Sequence, residues 1–71
     1  MTFSDRLKQL RTENKVSQAT LAKAINASDR VIRYYESGTM EPTLSVLTAL
    51  ADFFHCSIDY IAGNSEVRER Q

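Results

Sequence analysis

Apolar residues fall into five short clusters, and the spacing inside each is helical. Phe3, Leu7 and Leu10 stand at i, i+4 and i+7, one buried stripe of a helix over residues 2–14. Leu21, Ala22 and Ile25 make one face of a second helix over 18–25, and Ile32 and Tyr35 one face of a third over 29–37. Leu47, Leu50, Ala51 and Phe54 give the cleanest amphipathic pattern, in a fourth helix. Ile58 and Ile61 are expected to face inward from a short fifth. The pattern predicts an all-α domain of five helices.

Polar residues mark the helix ends. Ser17, Ser28, Thr43 and Ser57 each precede a helix, where a hydroxyl satisfies an orphan backbone N–H. Thr2 followed by Asp5 resembles a capping box with a shortened acid. Val16 bridges the first helix to the second. Asn26 sits between the second and third, where the chain turns sharply and the left-handed conformation is tolerated. Gly38 and Gly63 close the third and fifth helices, and residues 39–42 form the loop between the third and fourth. Arg6, Lys8 and Lys15 lie off the first stripe and are expected to be solvated, some of them free to meet phosphate. Residues 1–63 read as one domain. Residues 64–71 are polar and charged, expected to fray or to begin a linker.

The outward positions of the third helix carry Asp29, Arg30, Arg33 and Tyr34, all able to hydrogen-bond. A short helix, a tight turn and a second helix with a polar outer face is the layout of a DNA-reading helix-turn-helix.

Composition first opposes and then supports that layout. Net charge is zero over 71 residues. Residues 1–35 hold seven Lys or Arg against three acids, a net +4, whereas residues 36–71 hold two against six, a net −4. A chain so polarised presents its first half to a polyanion. A domain this small is marginal alone, so dimerisation would help it. No apolar run approaches a membrane span and no basic-then-apolar segment opens the chain, so no membrane partner is expected. The single Cys56 has no intrachain partner, which fits a reducing cytoplasm.

Gln18, Leu21, Ala22, Ser28, Ile32, Tyr35, Glu36, Gly38, Pro42, Leu47, Leu50, Ala51, Phe54, Ser57, Asp59, Tyr60 and Gly63 together resemble the Cro/CI-type (XRE) helix-turn-helix family across residues 2–63. The resemblance implies a five-helix, lambda-repressor-like domain that pairs about a two-fold axis on a palindromic operator and regulates transcription, usually by repression. It implies an ion pair between Arg11 and Glu36, lying near a DNA phosphate and fixing the third helix against the first. Two solvated charges are the alternative.

A recognition helix presents its N-terminal residues to base edges, so Ser28, Asp29, Arg30, Arg33 and Tyr34 form the expected reading set. Arg30 is suited to a bidentate contact with guanine O6 and N7. Asp29 departs from the family pattern. It would accept from a cytosine N4, orient Arg30 or Arg33, or serve as a favourable charge in its helix's first turn. For phosphate, the resemblance points to Gln18, which also braces the reading helix, with Ser17 and the amides at that helix N-terminus, and to Ser37, Gly38, Thr39 and Thr43 as a second clamp. Glu41 weakens that clamp. By analogy, Phe54, His55, Cys56, Ile58 and Tyr60 pair across the two-fold axis; packing within the core is the alternative for Phe54 and Ile58.

No enzyme, metal site or cofactor is expected. His55 and Cys56 are adjacent, which hinders a dyad, no second His exists, and there is no Gly-rich phosphate loop. No small-molecule site is evident, so derepression would need a protein antagonist, competition or dilution. The competing reading is a protein-binding module such as an antitoxin, which net neutrality and the acidic second half keep open.

Overall fold

The computed structural model describes residues 1–69. Five helices follow in order: α1 (Phe3–Glu13), α2 (Gln18–Ala24), α3 (Asp29–Ser37), α4 (Leu44–Phe54) and α5 (Ile58–Ala62). Each begins the same way. The hydroxyls of Thr2, Ser17, Ser28, Thr43 and Ser57 accept from the backbone N–H three residues on, at 3.0–3.2 Å. Such a cap contributes about 1 kcal/mol relative to alanine.

The helices also end alike. Lys15, Asn26, Gly38, His55 and Gly63 all take positive φ, between 54° and 86°. In each case the next residue's N–H reaches back five positions: Val16 to Arg11, Ala27 to Ala22, Thr39 to Tyr34, Cys56 to Ala51 and Asn64 to Asp59. This is the Schellman closure, which satisfies carbonyls that the last helical turn leaves open. Three connections are therefore one joint used three times: a left-handed residue, an apolar or small residue, then a capping serine. Lys15, Val16 and Ser17 form the first, Asn26, Ala27 and Ser28 the second, and His55, Cys56 and Ser57 the third.

Leu7, Leu10, Leu21, Ala22, Ile32, Tyr35, Leu50, Ala51, Cys56, Tyr60 and Ile61 make up the core. Phe3 packs edge-on against Tyr35, with ring centroids 5.8 Å apart. Ile61 faces inward as expected. Ile58 does not, because it is the first residue of α5 and points away from the stripe; it is exposed.

Two expectations fail, for one reason. Arg6 is not solvated: it is only 1% exposed. Its guanidinium lies 3.7 Å from the centroid of the Tyr60 ring and donates to the Tyr60 carbonyl at 2.9 Å. A buried guanidinium carries five donors and needs acceptors for them. Ser65 and Glu66 supply several, which ties the start of the expected tail to the domain. The Ser65 carbonyl and the Glu66 carboxylate both accept from Arg6. Farther on, the carbonyls of Val67 and Arg68 accept from Ser57. The last part of the expected tail, residues 70 and 71, lies outside the described residues.

Gly63 is where α5 meets the N-terminus. Its φ is +86°, and a Cβ there would stand 2.4 Å from the Met1 carbonyl oxygen. Gly63→Ala is expected to lose at least the ~1–2 kcal/mol of left-handed strain, with the backbone clash added. Urea denaturation measures it; a loss confined to the strain alone would show that the N-terminus moves aside, and an unchanged midpoint would overturn both effects.

Candidate nucleic-acid interface

The second joint sets α3 against α2. Asn26 turns the chain, Ala27 N–H bonds the Ala22 carbonyl at 2.8 Å, and Ser28 opens α3 by accepting from Val31. The inner side of α3 buries Ile32, Tyr35 and Glu36. On its outer side Asp29, Arg30, Arg33 and Tyr34 are all exposed. The structure therefore brings the expected reading residues together on one free face. Ser28 stands at its start with its hydroxyl oxygen already engaged as a cap.

Glu36 holds this helix from behind. Arg11 reaches it with a forked contact from Nε and Nη2, the latter at 3.1 Å, while Arg11 Nη1 donates to the Val16 carbonyl at 3.0 Å. Gln18 adds a third donor, from Nε2 at 3.2 Å. The Glu36 side chain is 5% exposed and that of Arg11 20%. A bidentate pair at this depth fixes orientation as well as energy. The hydrogen bond to Glu36 holds the Arg11 guanidinium above its ordinary pKa, against the opposing effect of its burial. Both side chains belong to a brace joining α1, α2 and α3, rather than to two solvated positions.

The brace includes Gln18, which the resemblance expected to steady the reading helix. Its amide nitrogen serves Glu36, so its contribution to the reading helix runs through that carboxylate. Ser17 caps α2, and its hydroxyl donates to Thr20 Oγ1 at 2.9 Å.

The second expected phosphate clamp is altered more strongly. The N–H groups of Gly38, Thr39 and Met40 turn back onto carbonyls of α3, chiefly that of Tyr34. The Ser37 hydroxyl also bonds the Tyr34 carbonyl and shares a 2.8 Å contact with Thr39. These amides close α3 and so do not form an open anion nest. Thr43 accepts from Val46 and keeps its O–H as a donor. Beside it Leu44 is 70% exposed, an apolar position that periodicity would have buried with Leu47.

The expected pairing patch divides. His55 and Ile58 are exposed, and Phe54 is half-buried and packed edge-on against Phe53 at 4.9 Å. Cys56 and Tyr60 lie in the core instead. Cys56 is the plug of the third joint, and the Tyr60 ring carries the guanidinium of Arg6. Sequence reasoning also missed Arg6. The available signal was position: it follows Phe3 by three and precedes Leu10 by four, on the edge of the buried stripe.

A braced helix pair with a polar outer face, inside five helices, is the lambda-repressor-like helix-turn-helix fold. The chain belongs to the Cro/CI-type (XRE) family: the family model described as Helix-turn-helix matches residues 7–61. Among its relatives is the HTH-type transcriptional activator BcrR of Enterococcus faecalis, 33% identical over 94% of this chain and 33% of that protein. Another is the cryptic phage CTXphi transcriptional repressor RstR of Vibrio cholerae, 31% identical over 90% of this chain and 58% of that protein. The chain thus spans less than two thirds of either relative. A similar solved structure is the P22 c2 repressor in complex with synthetic operator 9T, with a TM-score of 0.85 and 29% identity over 92% of this chain and 98% of that chain.

Proposed function

We propose that this chain is a sequence-specific DNA-binding regulator of transcription that acts as a repressor in the cytoplasm of a prokaryotic cell. It places α3 in the major groove and binds a palindromic operator as a dimer. The observation that carries the reading is the outer face of α3: two guanidinium groups, a carboxylate and a phenol are exposed on a helix whose other side is buried and braced through Glu36. The operator complex of the structurally similar P22 c2 repressor supports it, and the repressor RstR favours repression.

Arg30 reads a guanine, and Arg33 reads a second base or meets phosphate. Asp29 accepts from a cytosine or orients its arginine neighbours. Arg11, Ser17, Gln18 and Thr43 lie where phosphates pass, with Ser37 and Thr39 contributing only hydroxyls. The two half-sites stand about 34–36 Å apart, and the chains pair through Phe54, His55 and Ile58.

Arg30→Ala is expected to weaken binding to the preferred operator by ~1–3 kcal/mol, roughly 5- to 150-fold, and to relax preference at one base position. Selection of bound sequences from a random DNA pool, run on both proteins, measures the change and reveals half-site spacing. Unchanged affinity and preference would remove Arg30 from the reading set. Sedimentation showing one chain per operator would remove the dimer.

The acidic second half favours one competing reading, a regulatory module that binds protein. Salt separates the two. DNA affinity should fall steeply as salt rises, in proportion to the phosphates contacted.

A further inference from the structure

Ser57 carries two loads. Its hydroxyl oxygen accepts from Tyr60 N–H at 3.0 Å and so begins α5. The same hydroxyl donates to the Val67 carbonyl at 3.1 Å, and its backbone N–H donates to the Arg68 carbonyl at 2.9 Å. The start of α5 therefore hangs on the segment that follows its end.

That segment is tied to α1 as well. Arg6 donates to the Ser65 carbonyl and to the Glu66 carboxylate. Arg68 Nη2 bridges the Tyr60 hydroxyl at 2.8 Å and the Glu13 carboxylate at 3.2 Å. The Tyr60 ring thus carries two guanidinium groups, with the Arg68 carbon 5.0 Å from its centroid. Five residues are too few to hold a helix by local bonds alone, because nucleation is unfavourable and little propagation follows. The position of α5 must come from its contacts.

We propose that residues 65–68 are a clasp that fixes α5 against α1 and so sets the presentation of Ile58 and His55. The pairing role of those two residues rests on the dimer reading above; the clasp does not. Its grip is graded. The Arg68 and Glu13 side chains are 51% and 41% exposed, so water competes for that end, while Arg6 grips from the core. Release therefore starts from the C-terminal side.

Amide hydrogen exchange tests this on the full chain, on the double variant Glu66→Ala with Arg68→Ala, and on a chain ending at Asn64. In the double variant the amides of Tyr60, Ile61 and Gly63 are expected to exchange about tenfold faster, the factor a charge-assisted hydrogen bond commonly represents. Amides of α3 should be unchanged. The shortened chain should show the larger rise; should it fail to fold, the double variant decides alone. Unchanged exchange in α5 overturns the clasp. So does an equal rise across all five helices, which would make the segment a general stabiliser. Sedimentation with operator DNA separates the two ideas. If the full chain never pairs, the dimer reading fails, and the exchange result still decides the clasp.

Discussion

Arg11→Ala is expected to lower the unfolding free energy by about 3–5 kcal/mol, the usual cost of removing one partner from a buried ion pair. Nearly all of that cost arises at the partner. Glu36 is 5% exposed, and without Arg11 its carboxylate keeps, among the described residues, the Gln18 amide. The Val16 carbonyl also loses its side-chain donor. A domain of this length has roughly 4–11 kcal/mol of stability in total, so the variant should sit near the edge of folding. Arg11→Met should fare no better, because restoring the apolar stem leaves the same stranded carboxylate. Replacing Arg11 and Glu36 together with apolar residues of similar volume should recover much of the loss. Urea denaturation of the three variants measures this. A loss under about 1 kcal/mol for Arg11→Ala, the range of a solvated pair, would show that the brace is not buried in solution.

Arg6→Ala is expected to cost a similar amount, about 3–5 kcal/mol, by another route. Here the arginine is the buried partner, and the carboxylate it meets is 84% exposed. Its removal strands no charge. The cost is a cavity beside Tyr60 together with the charge-assisted bonds to the Tyr60 and Ser65 carbonyls. The Tyr60 carbonyl keeps the Gly63 N–H as a donor. Arg6→Met should therefore retain about half the stability that alanine loses, since the stem refills the space. Methionine rescues at position 6 and fails at position 11. The same denaturation series checks both, and equal losses for Arg6→Met and Arg6→Ala would assign the whole effect to charge.

The fold was legible in the sequence because helix ends are written in local chemistry. Serine and threonine caps, Asn26 and the two glycines need only their neighbours to act. The outer face of α3 was legible for a related reason: a helical period separates Ile32 and Tyr35 from Arg30 and Arg33. Position-by-position polarity misled wherever a polar group is consumed inside the molecule. Arg6 reads as surface until the Tyr60 ring and carbonyl, more than fifty residues away, are placed against it. Residues 65–68 read as tail because part of their attachment runs through carbonyls, which no composition distinguishes, and because Glu66 and Arg68 meet partners on α1 that are distant in sequence. The loop of Ser37, Gly38 and Thr39 resembles a phosphate clamp until the end of α3 claims its amides. Cys56 and Tyr60 looked like surface partners because apolarity alone does not say which apolar side is already covered.

The repeated joint has a consequence for how such a protein changes over generations. Helix limits and inter-helix angles depend on Ser17, Ser28, Ser57 and the left-handed residues two positions before them, and orientation depends on Arg11 and Glu36. Asp29, Arg30, Arg33 and Tyr34 take no side-chain part in either. Substitutions at separated, non-contacting sites tend to add independently. Lineages can therefore re-letter those four positions while the scaffold's stability stays nearly constant. The outer face of α3 can drift rapidly on an architecture that does not.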